Sequence, residues 1–394
     1  MSTAEKKSEE RRAAGVAFGA HALHDGYTDV VYVMLPVWQA EFGIGYAALG
    51  LMRTVFSGTM AGFQIPAGFL AEKFGAPLVL ALGTALAGIG YCLAGMSTGL
   101  VTLIAALFVG GLGAATQHPL ASALVSRAFA GARSMKALGA YNFAGDLGKM
   151  SLPAAAALLL VVMPWRPAMM ALGTIGIVAA FFIFVIMPRL APLAAAPKKP
   201  AAKGPRAITQ FGFPLLLSIG VIDSATRMAF LTFLPFVLTA KGASLPTIGL
   251  ALTLVFAGGA AGKLVCAFIG ARIGAVATVW LTEAVTAIGI VALLPLPLEA
   301  AMVLLPVVGV ALNGTSSVLY GSVPDLVEPS RHGRAFGIFY TGTIGAGAIS
   351  PFFYGLLGDA VGISAALMVV AAVVLLTLPI TLMLRPALLA AQRG

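Results

Sequence analysis

Residues 68–75 read Gly68-Phe-Leu-Ala-Glu72-Lys73-Phe-Gly75, a short charged stretch between two apolar runs, each long enough to cross a bilayer. Its spacing returns as Phe268-Ile-Gly-Ala-Arg272-Ile-Gly274, again between two apolar runs, with 199 residues separating Gly75 from Gly274. The same offset joins Pro36 to Pro235, Gly50 to Gly249 and Lys73 to Arg272. An offset of 198 joins Asp25 to Asp223, Gly111 to Gly309, Arg133 to Arg331, Lys136 to Arg334, Gly139 to Gly337 and Pro153 to Pro351. Two basic residues, two glycines and a proline on one offset mark an internal repeat of about half the chain.

Outward from the two charged stretches, apolar runs dominate. The 394 residues are 60% hydrophobic and 10% charged, with mean hydropathy +1.00. Soluble domains carry about 25% charged residues, so a soluble fold, a disordered chain and a collagen-like chain are all excluded. Spanning helices are expected at about 13–38, 45–70, 77–96, 100–124, 137–162 and 167–188, then at about 208–239, 245–270, 276–295, 300–322, 333–357 and 362–384. The reading is an all-α membrane protein of twelve transmembrane helices in two six-helix halves. The N-terminal bundle occupies 13–188 and the C-terminal bundle 208–384, joined by a Pro-, Ala- and Lys-rich linker at 189–207. Residues 1–12 and 385–394 form polar tails. The two cysteines, Cys92 and Cys266, sit in apolar runs and imply no disulfide framework.

The formal charge of +10 is a matter of topology. With the N-terminus inside, eighteen of the 24 Lys and Arg fall on the tails, the linker and the inner loops, and only Arg166 and Lys241 on the outer ones. Basic residues accumulate on the cytoplasmic side of membrane proteins. Both termini are therefore expected in the cytoplasm, in the inner (plasma) membrane, and the basic surplus faces anionic lipid with no nucleic-acid partner.

The stretch from Gly68 to Gly75 resembles the G-x-L-a-D-[RK]-x-G signature of the major facilitator superfamily, with Glu72 in place of the usual Asp, and Arg272 and Gly274 keep its remnant in the second half. The resemblance implies a transporter fold in which Gly68, Glu72, Lys73, Gly75 and Arg272 latch neighbouring helices on the cytoplasmic side. It also implies that the first, fourth, seventh and tenth spans line the solute path. His21-x3-Asp25, Glu41-Phe42 and Gly113-x4-His118-Pro119 are similar to the fosmidomycin-resistance group, which exports a small phosphonate drug. Leu120 departs from the acidic residue that often follows the His-Pro pair, and the fourth-span arginine of drug/proton antiporters is replaced by Ile104, Ala105 and Ala106.

Nine charges fall within the expected spans: Asp25, Asp29, Arg53, Asp146, Lys149, Asp223, Arg227, Lys263 and Glu283. Each costs about 2.5–3.5 kcal/mol to insert near the bilayer centre, so each needs a partner or a function. His21, His24, Asp25, Thr28, Asp29 and Tyr32 recur with helical spacing and form one polar stripe on the first span. A carboxylate in a low-dielectric setting and a neighbouring imidazole are groups that exchange protons, so Asp25, Asp29, His24 and Asp223, the repeat partner of Asp25, are the expected proton-coupling residues. Expected solute-binding residues are His21, Tyr32, Arg53, Gln117, His118, Asn142, Asp146, Lys149, Arg227, Lys263, Asn313, Ser317 and Tyr320. Asp223 and Arg227 at i, i+4 have the spacing of an intrahelical ion pair, as do Asp146 and Lys149 at i, i+3. Arg53 and Lys263 have no acid within four residues on their own helix and require partners from elsewhere.

These residues point to a monomeric, proton-coupled secondary transporter that moves a small anionic or zwitterionic solute by alternating access, with proton antiport efflux as the leading direction. Proton-symport uptake of an organic anion is the alternative, and a metal or metal-chelate transporter a weaker one. No resident metal or cofactor is expected, and no nucleophile-centred or ATP-binding pattern suggests an enzyme.

Overall fold

The structure, a computed structural model, describes residues 3–129, 132–187, 211–328 and 331–393. The first half comprises α1 (Thr3–Phe42), α2 (Tyr46–Gly62), α3 (Gln64–Phe74), α4 (Ala76–Gly95), α5 (Leu100–Ala114), α6 (Gln117–Ala128), α7 (Ala132–Val162) and α8 (Trp165–Ile186). The second comprises α9 (Gly212–Ala240), α10 (Leu245–Ile273), α11 (Ala275–Leu293), α12 (Leu298–Ser322), α13 (His332–Val361), α14 (Ile363–Val374) and α15 (Thr377–Arg393). Twelve spans result, because α2–α3, α5–α6 and α14–α15 each form one. Ten stretches among the described residues are long and apolar enough to cross a membrane, beginning with Ala76–Gly95 and ending with Ile363–Ala390. The remaining two are α1, which carries the polar stripe, and α2–α3.

Proline explains the three divided spans. Pro66, Pro119 and Pro379 follow the breaks at Phe63, Ala115–Thr116 and Leu375–Leu376. A proline offers no N–H to the carbonyl four residues earlier, and its ring crowds that carbonyl. The backbone responds with tighter bonds, from Thr116 N–H to the Gly113 carbonyl and from Leu378 N–H to the Leu375 carbonyl.

Several boundaries differ from the expectation. The stretch from Gly68 to Phe74 is helical, so Glu72 and Lys73 ride the last turn of α3, and only Gly75 separates α3 from α4. Gly75 takes φ +89° and its repeat partner Gly274 φ +83°, a region closed to side chains with a Cβ, which is why both positions are glycine. Both helix ends extend past the expected tails, since α1 begins at Thr3 and α15 reaches Arg393. The linker at 189–207 lies outside the described residues.

The chain divides into two compact units, one of Met1–Ile44, Met52–Ala196 and Ser244–Thr253, the other of Gly45–Leu51, Pro197–Ala243 and Leu254–Gly394. The first turns of α2 fall in the second unit and those of α10 in the first. In the second unit, Asp359 of α13 caps the start of α2, accepting from the backbone N–H groups of Tyr46 at 2.6 Å and Ala47 at 3.0 Å.

Inside each unit, helices meet over glycine. Without a hydrophobic driving force between helices in lipid, close packing of small residues supplies the association. In the first unit, Gly88 of α4 packs on the carbonyl of Gly173 in α8, and Gly90 on the backbone of Gly110 in α5. Large apolar side chains point outward, among them Val101, Phe181 and Phe184. The tightest seam joins α1 and α7. A Cβ on Gly148 would stand 1.8 Å from the carbonyl oxygen of Ala22, whereas Gly139 on the same helix has open space around it. Gly148→Ala is therefore expected to cost about 1–3 kcal/mol by overpacking. Gly139→Ala is expected to gain about 0.5–1 kcal/mol from helix propensity. Thermal unfolding of the two variants in detergent should give shifts of opposite sign.

Candidate functional site: a buried His, Asp and Lys cluster

The polar stripe of α1 is buried, with His21, His24, Asp25, Asp29 and Tyr32 each at most 7% exposed. Its upper part faces α6 and α7. Gly145 of α7 leaves the room, because a Cβ there would lie 2.6 Å from both Asp25 Oδ2 and His21 Nε2. Into the space beside it comes Lys149, whose Nζ is 3.3 Å from Asp25 Oδ2. The other carboxylate oxygen, Oδ1, is approached by His21 Nδ1 at 3.7 Å, His24 Nε2 at 3.9 Å and His118 Nε2 at 3.9 Å. His24 Nε2 and His118 Nε2 are 3.3 Å apart, so one ring donates and the other accepts. His21 stacks on Tyr141 with ring centroids 3.9 Å apart. Four ionisable groups from three helices thus surround one carboxylate. The Asp25 side chain is 8% exposed, but those of Lys149 and His118 are 31–32% exposed, so the cluster is open along one side.

Lys149 therefore meets Asp25 on another helix, in addition to the electrostatic influence of Asp146 one turn earlier on α7. Ligand atoms of His21, Asp25 and His118 come within 4.8 Å of one another, close enough for a metal ion to bridge. The ammonium of Lys149 beside the same carboxylate opposes a divalent cation there, so the donor set fits a proton better than a metal.

The lower part of the stripe faces α2. Arg53 is 2% exposed and donates from Nη1 to the Thr28 carbonyl and from Nη2 to the Tyr32 hydroxyl, both at 2.8 Å. Its guanidinium lies 4.4 Å from the Tyr32 ring centroid and 3.8 Å from Asp29. The partner that the sequence required for Arg53 is thus Asp29 with Tyr32. Gln117 is buried at the α5–α6 break, and its Nε2 has no partner among the described residues. Asn142 lies outside this group, exposed on α7.

In the second unit, Asp223 on α9 and Glu283 on α11 are both buried, and their carboxyls influence each other electrostatically. The expected close ion pair with Arg227 does not form among the described residues. Arg227 acts on Asp223 through its charge at longer range. Asn313 donates to the Gly309 carbonyl at 3.2 Å within its own helix, Ser317 is half-buried, and Tyr320 packs edge-on against Phe339. Lys263 is half-buried on α10. Glu283 had no role in the sequence reading, although Thr278, Thr282, Glu283 and Thr286 form a polar helical stripe that marks it. Of the residues expected to form a latch, Glu72 and Lys73 are exposed, and Lys73 lies 5.2 Å from the Phe74 ring centroid.

Twelve spans in two repeated bundles, with charges buried inside them, define a membrane transporter. The model of the Major Facilitator Superfamily matches residues 17–219 and 216–393, and the chain belongs to that family. It is a multi-pass membrane transporter and not an enzyme. Over 354 residues, which are 86% of this chain and 84% of the relative, it is 24% identical to the fosmidomycin resistance protein of Escherichia coli strain K12. Over 147 residues, 37% of this chain and 34% of the relative, it is 26% identical to a probable sulfoacetate transporter of Cupriavidus necator. Among solved structures, a bacterial homolog of the human lysosomal transporter Spinster superposes with a TM-score of 0.83 at 14% identity, covering 97% of this chain and 98% of that one.

Two predictions follow from the ionic contacts. Lys149→Met leaves the Asp25 carboxylate without its cation, and breaking a buried pair from one side costs about 3–5 kcal/mol. The partial exposure of Lys149 screens this to about 1–3 kcal/mol. Asp25→Asn with Lys149→Met should recover most of the loss, read as coupling in a double-mutant cycle of unfolding midpoints. At the C-terminal end of α1, Arg166 Nη1 donates to Glu41 Oε1 at 2.7 Å, and this bond holds the Glu41 carboxyl below the usual glutamate range. A lowered folded value gives stability that is present above the unfolded value of about 4.3 and lost as pH falls through the folded one. The stability difference between wild type and Glu41→Gln should accordingly shrink on acidification below that range.

Proposed function

We propose that the protein is a proton-coupled secondary transporter of a small anionic or zwitterionic solute, working by alternating access in a bacterial inner membrane with both termini in the cytoplasm. The observation that carries this reading is the contact of Lys149 with Asp25 inside a ring of three imidazoles. Such a pair is a two-way exchanger. When Asp25 takes a proton it releases Lys149, and when it loses the proton it reclaims the ammonium. The imidazoles of His21, His24 and His118 titrate near neutrality in water and supply a path for that proton. Asp29, bound to Arg53, is the second acid on the same helix, and Asp223 is the corresponding acid of the other half.

The direction of coupling depends on which member of the pair the solute engages. A solute that presents a cationic group to Asp25 displaces the proton, which gives antiport and efflux. Likeness to a resistance protein over most of the chain favours this direction. A solute with only an anionic group takes Lys149 and leaves Asp25 protonated, which gives symport and uptake. Likeness to a probable sulfoacetate transporter keeps this second reading in play. Planar Arg53 suits a carboxylate or phosphonate in either case, and polar Gln117, Asn313, Ser317 and Tyr320 add recognition without charge. Glu72, Lys73 and Arg272, at helix ends beside Gly75 and Gly274, are the proposed cytoplasmic latch. The transporter is proposed to act as a monomer.

Purified protein in liposomes with an imposed pH gradient tests both the coupling and its sign. Asp25→Asn should abolish gradient-driven flux while solute exchange across the membrane stays measurable. Undiminished gradient-driven flux in that variant would falsify the coupling role of Asp25. Solute-driven proton movement opposite to the solute identifies antiport, and movement with it identifies symport.

A further inference from the structure

A small cavity lies beside the break between α5 and α6, inside the first unit. Its volume is about 20 Å³, and its polar lining is His24 and Tyr27 of α1, Thr84 and Tyr91 of α4, and Thr116 and Gln117 at the break. Glycine brings these elements together. A Cβ on Gly83 would collide with the Thr116 side chain, and one on Gly113 with the backbone of Ala87. Helix α4 therefore packs directly on the break, and Gln117, the first residue of α6, is held there at 2% exposure.

The hydrogen bonds of this lining leave one donor over. Thr84 donates to the Leu80 carbonyl at 2.8 Å and Thr116 to the Gly113 carbonyl at 3.1 Å. Tyr27 donates to the Leu172 carbonyl and Tyr91 to the Tyr27 carbonyl. All four hydroxyls have spent their protons and keep only lone pairs. Gln117 Nε2 is a buried donor with no partner among the described residues. It thus shares a cavity with acceptors but reaches none of them. A buried amide left in that condition carries its full desolvation cost.

Size and chemistry select the occupant. A cavity takes a water when it offers about 10–15 Å³ and about two to four polar neighbours. Sites for small molecules begin at about 300 Å³, so no solute enters this one. The lining contains no carboxylate, the ligand a hard cation would require. Water both accepts and donates, which is what bridging the amide N–H to hydroxyl lone pairs demands.

We propose that this cavity binds one water, which accepts from Gln117 Nε2 and donates to the hydroxyl oxygens of Thr84 and Thr116, beside His24. The water joins α4 to the start of α6 across the break. It also stands against the imidazole whose Nε2 meets His118 at 3.3 Å, so Gln117 is a positioning residue for His24. That second role rests on the proton coupling proposed above, whereas the water site does not.

A crystallographic or electron-microscopy map of the purified full chain, at a resolution that shows ordered waters, tests the site. A single peak is expected within hydrogen-bonding distance of the Gln117 amide in wild type, and none in Gln117→Leu. No peak in wild type, a peak that persists in Gln117→Leu, or a Gln117 amide bonded directly to another protein group overturns the proposal. Should Gln117→Leu fail to fold, Gln117→Met keeps the side-chain length without the donor, and the same outcomes apply. In liposomes, Gln117→Leu should lower gradient-driven flux about three- to tenfold. It should also move the midpoint of the pH profile of that flux, which a loss of packing alone leaves in place. An unmoved profile overturns the positioning role while the map still decides the water. Wild-type flux that ignores the pH gradient overturns the coupling reading, and the positioning role with it, but not the water.

Discussion

The contact between Lys149 and Asp25 is the constraint on which the first bundle turns. An uncompensated charge inside a membrane is too costly to keep, so α1 and α7 have to approach until the ammonium reaches the carboxylate. That approach exists because Gly145 and Gly148 stand where any side chain would collide with Asp25, His21 or the backbone at Ala22. Packing and electrostatics are therefore one feature: the glycines bring the helices together, and the ion pair makes their proximity worthwhile. The three imidazoles complete the enclosure and leave Lys149 and His118 as its open side.

The repeat makes the second bundle an internal comparison. Its backbone repeats the single-glycine junction of the first, at Gly274 as at Gly75, both at positive φ. Its chemistry does not. With glycine at 347, the acid of α9 has no lysine where Asp25 has one, and Arg227 on its own helix acts on it through its charge. Duplication preserved the scaffold, and the charged side chains diverged within it.

Much of this was legible in the residues. Hydropathy located the spans, the offset of 198 to 199 revealed the halves, and helical spacing placed the polar groups of α1 on one face. The three helix breaks were not read from the sequence, although Pro66, Pro119 and Pro379 signal them; six other prolines, at 36, 153, 235, 306, 351 and 386, sit inside continuous helices, so residue type alone does not separate the two behaviours. The charged stretch after Gly68 looked like a loop because it is polar, yet a helix end exposed to solvent tolerates polar residues equally well.

Partner choice was the part that sequence spacing left open. Asp146 with Lys149 and Asp223 with Arg227 have the separations of intrahelical pairs, and Lys149 also reaches Asp25 on another helix. Spacing along one helix reports only which residues share a face. In a bundle, the winning contact is set by which neighbouring helix comes closest, and glycine positions on both helices control that distance. The sequence by itself determined that this chain spans a membrane as two repeated helical bundles and which few charges lie inside it. Only the tertiary structure decided which charge neutralises which, because that depends on interhelical distances of a few ångströms that no single helix encodes.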